Sequence, residues 1–251
     1  MYFYRVRLLF LSLVFILPGC CQRRIKITRS AFANTERITD GFPEHSSFVI
    51  LPASKEQKNK LLEKEIGKKI SIVLQDNGYS TVKQKKDADY CLFYTYGMKS
   101  ETRTINELKY VPGQTITTTG SASGTYGRYG NCGYYGEHQQ QTQSSGTFVY
   151  IPEQYTFYEK FLTCHVCNKT KSTKIPLNKE SRDTEVWYGV AVNNDLSGDL
   201  RGNLDFLIIS LLDLLGSNTQ EINSITMYEK DERVASLRSI YLNSDQENMK
   251  D

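Results

Sequence analysis

Phe48-Val49-Ile50-Leu51 is apolar at every position and stops at Pro52. A run that short, closed by proline, predicts a buried strand. Ser54 and Gln57 follow with the spacing of a capping box, which predicts a helix over 54–76. Leu62, Ile66, Ile70, Val73 and Leu74 fall on one face of it. Lys58, Lys60, Lys64, Lys68 and Lys69 are assigned to its solvated side, and Asn77-Gly78 supplies the left-handed stop. A short strand is expected over 79–82. Tyr90 to Tyr96 is apolar or aromatic on both faces, as a central strand is.

Residues 102–119 are polar and rich in threonine, and read as an extended ribbon. Glycines then recur at every third position from Gly124 to Gly136, interleaved with Tyr126, Tyr129, Tyr134 and Tyr135. The repeat is too short and too poor in proline for a triple helix, so 124–146 is expected to be a glycine-rich loop. Strands are expected at 148–151, 155–166 and 185–192, with a charged turn region over 169–183. Leu204, Leu207, Ile208, Leu211, Leu212 and Leu215 step by three and one along a helical stripe that Gly216 ends. Beyond it the chain is polar. Val234, Leu237, Ile240 and Tyr241 are spaced as one weak helix.

The pattern predicts an α+β fold, with an antiparallel or mixed sheet of about five or six strands and two amphipathic helices, 54–76 and 202–215, packed on one face. The implied organisation is a signal over 1–19, a lipid anchor and tether over 20–46, a domain over 47–216 with a Gly/Tyr-rich insertion at about 101–147, and a polar tail over 217–251.

The N-terminus decides location. Arg5 and Arg7 precede a ten-residue stretch, Leu8 to Leu17, that is apolar except for Ser12. That suits the core of a signal peptide and falls short of the about 20 residues that span a bilayer. Leu17, Gly19 and Cys20 match the box at which bacterial lipoproteins are cut before a cysteine that then carries lipid; Pro18 departs from the usual residue there. The acyl chains would hold a soluble domain at a membrane, with Arg23, Arg24 and Lys26 near anionic head groups. No aspartate follows Cys20, so nothing retains the product at the inner membrane, and an outer-membrane anchor is expected. A plain secretory signal with Cys20 or Cys21 in a disulfide, and an uncut membrane anchor, are the competing readings.

The net charge of +3 leaves no electrostatic footprint for nucleic acid. Apart from Cys20 and Cys21 there are four cysteines, Cys91, Cys132, Cys164 and Cys167. Export would permit disulfides among them, and four cysteines allow three pairings that sequence does not rank. Cys164 and Cys167 have the spacing of a metal or redox pair. They fall in an expected strand, however, where positions three apart face opposite ways. No second pair exists to complete a zinc site. His45, His138 and His165 are the only histidines, and no serine sits in a Gly-x-Ser-x-Gly elbow. The sequence predicts no catalytic residues, no metal, no cofactor and no small-molecule substrate. It predicts a membrane partner through the lipid, and envelope proteins as further partners.

In this order Pro52, Gly78-Tyr79, Ala88-Asp89, Tyr155, Leu162-x-Cys164-x-Val166 and Trp187-x-Gly189 resemble a family of bacterial lipoproteins grouped as domain of unknown function 4136. The resemblance covers about 48–216. Asn168 stands where the family usually has aspartate, and the tail runs past the family's usual end. The resemblance implies an α+β fold and an envelope location; the family has no established activity to lend.

Overall fold

A computed structural model describes residues 23–38, 41–53, 59–126, 132–168 and 185–247. The strands are β1 (Arg24–Ala33), β2 (Ser47–Pro52), β3 (Ser80–Thr81), β4 (Tyr90–Val111), β5 (Thr115–Tyr126), β6 (Cys132–Gln143), β7 (Thr147–Asn168), β8 (Glu185–Asp195) and β9 (Asn223–Tyr228). The helices are α1 (Lys60–Asp76), α2 (Leu200–Leu212) and α3 (Glu232–Glu247). The fold is α+β, as the pattern predicts. The chain forms two compact units, one of residues 102–156 and the other of the remainder.

The larger unit is built on a seven-stranded mixed sheet in the order β3-β2-β4-β7-β8-β1-β9. β2 runs parallel to β3 and β4. β8 runs antiparallel to β7 and β1, and β1 antiparallel to β9. Two of the seven strands correct the expected organisation. The supposed tether contains β1, whose Ile25, Ile27 and Ala31 are buried in the core, and the supposed tail contains β9 and α3. Both segments are polar on average. Their apolar residues nonetheless alternate with the period of a strand or recur with that of a helix, and periodicity rather than mean polarity decides burial. Val234 and Leu237 of α3 are buried in the same core.

α1 begins at Lys60. Asn59 caps it, its side chain accepting a hydrogen bond from the Leu62 amide at 3.0 Å. The capping box at Ser54 lies outside the described residues, as does the charged turn at 169–183. The helix ends where Gly78 takes φ +85°, which lets the Tyr79 amide reach back to the Leu74 carbonyl at 2.9 Å. α2 is capped by Asp199 on the Gly202 amide at 2.9 Å and is buried at every residue from Asn203 to Leu212. A helix buried on all sides is one covered on all sides: α2 packs on β1 and β8 and against both α1 and α3. Trp187 of β8 is fully buried beside it, with Nε1–H donating to the carbonyls of Leu214 and Ser217, each at 3.2 Å.

The opposite face of the sheet carries a second, small cluster of Val49, Ala88, Cys91, Phe93 and Cys167.

The smaller unit contains the far ends of β4 and β7, then β5 and β6 paired antiparallel from Thr115↔Gln143 to Tyr126↔Cys132. The segment expected to be a glycine-rich loop is therefore largely strand. β5 holds glycine only at 120 and 124 and β6 only at 133 and 136, so each arm keeps threonine, tyrosine and other residues of strand character between them. β7 runs unbroken through Pro152, where two separate strands were expected.

Candidate functional site

Three helices converge on a charged cluster. Lys69 of α1 donates from Nζ to Glu65 Oε1 at 2.7 Å and to Asp205 Oδ1 of α2 at 2.6 Å. Arg238 of α3 donates from Nε to Asp205 Oδ2 at 2.6 Å, and Arg201 reaches Glu65 Oε2 at 2.7 Å. Glu65, Lys69 and Asp205 are buried, so Lys69 is not the solvated lysine the helical pattern suggests. Positions 65 and 69 are one turn apart, and the partner that draws Lys69 inward lies 136 residues away, outside any local pattern. Burial alone would raise the Glu65 carboxyl; the hydrogen bonds from Lys69 and Arg201 reverse this and hold it below the usual carboxylate range. An open cleft of about 400 Å³ borders the cluster, lined also by Tyr241 and Leu242. Its chemistry is already satisfied: Lys69 and both carboxylates are engaged with one another. The arrangement ties three helices together.

Two other polar groups are equally occupied. Lys160 of β7 is fully buried. It donates to Asp195, which also accepts from the Ser197 amide at 2.8 Å and pairs with Arg23 at 3.1 Å. His165 Nδ1 lies 2.8 Å from Glu185 Oε2, and the ring packs on Tyr188 with centroids 4.6 Å apart. His45 has φ +64° beside an open hollow that Asp89, Tyr90 and Asn168 also line. The side chain of His138 lies outside the described residues. Among the described residues no three His, Cys, Asp or Glu side chains are grouped as metal ligands, and no helix is long and apolar enough to cross a membrane.

Leu17, Gly19 and Cys20 lie outside the described residues, as does the side chain of Cys132. Cys91, Cys164 and Cys167 are buried thiols in this structure. Cys164 belongs to the helix-side core; Cys91 and Cys167 belong to the cluster on the other face. Burial pushes the Cys164 thiol far up, out of the nucleophilic range. The two members of the Cys-x-x-Cys spacing thus sit on opposite faces of β7, and they do not form one site.

The smaller unit differs in character. Leu108, Tyr110, Phe148 and Tyr150 are all exposed, with the Tyr110 and Phe148 rings 5.3 Å apart. Elsewhere in that unit Lys109 pairs with Glu153, and the Tyr155 hydroxyl donates to Glu107 and to Glu153. β5 and β6 form a sheet of their own, so both are edge strands along twelve residues each. Gly113 is required at the bend, where a Cβ would lie 1.7 Å from the Ser144 carbonyl oxygen. No sequence signal marked the aromatic row or the open edges, because both depend on which strands pair.

No family model matches the chain, and no curated protein matches it. Among solved structures it is similar to a PDZ domain protein from Parabacteroides distasonis, at 10% identity and a TM-score of 0.41. That match covers 82% of this chain and 39% of the other. It is also matched to the lysenin pore, at 9% identity and a TM-score of 0.14, over 82% of this chain and 49% of the other. The chain thus spans less than half the length of either.

Proposed function

We propose that the chain is a lipid-anchored bacterial envelope lipoprotein with a non-enzymatic binding or structural role. The anchor is the acylated Cys20, and the interacting element is the two-stranded ribbon of residues 102–156. The observation that carries the binding role is the ribbon's pair of open edges. Isolated hairpins are marginal in water, and proteins that keep edges apart use lysine, proline or bulges to do so. β5 and β6 contain neither lysine nor proline, and Glu137 is their only formal charge. Such an edge accepts another strand through its backbone. β1 supports a close tether: it begins at Arg24, four residues after Cys20, and four extended residues reach at most about 14 Å. The larger unit would then ride directly on the lipid surface, in the outer membrane.

The reading of an auxiliary subunit in an envelope transport or assembly complex follows from the same edges, with a strand of another envelope protein as the occupant.

The test is the intact mass of the membrane-extracted protein beside a Cys20→Ala variant. A chain starting at Cys20 with two or three acyl groups, lost in the variant, supports the anchor; an unlipidated or uncut chain sinks it. The binding role is tested by replacing 102–156 with a short turn. The lipidated protein should remain folded and lose its envelope complexes; complexes that survive the exchange would exclude the ribbon.

A further inference from the structure

β4 and β7 are neighbours in the sheet, and the contacts between them fix how they align. In the smaller unit the ladder runs from Tyr126↔Cys132 to Thr115↔Gln143. Thirteen residues before Thr115 is Thr102, and thirteen after Gln143 is Thr156; their hydroxyls lie 3.3 Å apart. Within the larger unit Gly97 lies under the ring of Phe161, so close that a Cβ would be 2.6 Å from its Cζ. Gly97 and Phe161 therefore face one another on the neighbouring strands β4 and β7 of the larger unit. Six more residues along each strand are Cys91 and Cys167. The alignment sets these two cysteines opposite one another on adjacent strands. Their burial agrees: both are fully buried, in the same small cluster, on the same face of the sheet.

We infer that Cys91 and Cys167 are joined by a cross-strand disulfide when the folding chain meets a disulfide oxidant, and that Cys164 remains a thiol. Opposite residues of an antiparallel pair have Cα atoms about 4.5 or about 5.5 Å apart, and a disulfide requires about 4.4–6.8 Å. Cys164 points into the helix-side core, away from both. Of the three described cysteines, Cys91 and Cys167 alone share a cluster.

The reaction is thiol–disulfide exchange. One cysteine thiolate attacks a sulfur of a small disulfide such as oxidised glutathione and expels one glutathione thiolate. The second cysteine thiolate then attacks the mixed disulfide and expels the other. The pair loses two electrons and two protons, and two molecules of glutathione carry them away. Once formed, the bond lies in the cluster with Val49, Ala88 and Phe93, and it opens to reductant when the chain unfolds. The inference does not depend on the lipid anchor, since the oxidant can be supplied without a membrane.

The test is to unfold the full chain, refold it in a buffer of oxidised and reduced glutathione, block remaining thiols under denaturing conditions, and map the peptides. The expected product is a peptide containing Cys91 linked to the one containing Cys164 and Cys167, with fragmentation placing the bond at Cys167 and the blocking group at Cys164. A Cys164→Ala variant should keep the link. Cys91 and Cys167 both recovered as blocked thiols, or a bond to Cys164 or Cys132 instead, would overturn the inference. A second readout uses urea unfolding. Adding dithiothreitol should lower the midpoint of the oxidised protein and leave that of a Cys91→Ala/Cys167→Ala double variant unmoved; equal shifts in both would also overturn it.

Discussion

Lys69 of α1 and Asp205 of α2 meet at 2.6 Å inside the protein, with side chains that are almost wholly covered. Neither is placed there by its own helix. α1 carries Glu65 and Lys69 inward and α2 carries Asp205, on faces that are otherwise largely apolar, and these charges are tolerable only because they meet.

Removing one partner should therefore be costly. Asp205→Ala leaves Lys69 with Glu65 as its one carboxylate partner and takes the carboxylate from Arg238, so we expect a loss near the lower end for breaking a buried pair, about 3 kcal/mol in urea unfolding. A matched apolar replacement of the group, Lys69→Met with Asp205→Leu, should recover most of that loss. Equal destabilisation by the single and double changes would show that the pair itself stabilises the fold.

Acid should act on the same cluster. Glu65 is held below its ordinary range by Lys69 and Arg201, so the folded state binds this proton more weakly than the unfolded chain does. Asp195 behaves likewise: hydrogen bonds from Lys160, the Ser197 amide and Arg23 outweigh the burial that opposes them. Each contributes stability that is fully present above the unfolded carboxylate range and is lost as pH falls through the folded values. Unfolding midpoints measured from pH 7 downward should fall steeply below about pH 4.5. A Glu65→Gln variant should show a shallower fall.

Gly189 of β8 allows Trp187 and α2 to pack together. A Cβ there would lie 2.4 Å from Trp187 Cη2 and 2.8 Å from Leu211 Cδ1. Gly189→Ala is expected to cost about 1–3 kcal/mol by overpacking. The fluorescence of Trp187, the only tryptophan, reports the change directly.

Truncation separates a tail from a structural element. Ending the chain after residue 222 removes β9 and α3, and with them Met227, Val234 and Leu237 from the core. It uncovers α1 and α2. We expect a protein that loses its cooperative thermal transition, whereas removing only the last four residues should leave the melting curve unchanged.

Much of this was legible in the sequence. The stripe from Leu204 to Leu215 announces α2, the run Phe48–Leu51 announces β2, and Gly78 and Gly216 end helices with positive φ as their positions suggest. These signals are local. β1, β9 and α3 were missed as parts of the body because each is short or weakly amphipathic and gains its stability from partners distant in sequence. The glycine-rich segment misled for the opposite reason. Glycine lowers strand propensity residue by residue, yet β5 and β6 register against each other over twelve pairs. The charged cluster was invisible because helical periodicity sorts residues into faces and says nothing of which charge waits on a neighbouring helix.

β1 lies between β8 and β9, so the first described strand finds its partners only near the end of the chain. On synthesis or export from the N-terminus, Arg24 to Ala33 must wait unpaired until about 150 further residues have emerged. The larger unit therefore has no stable folded form while its C-terminal part is still within a ribosome or a translocation channel. The sheet is complete only when the first and last described strands, β1 and β9, lie side by side. That delay keeps the N-terminal strand threadable until β8 and β9 have emerged to receive it.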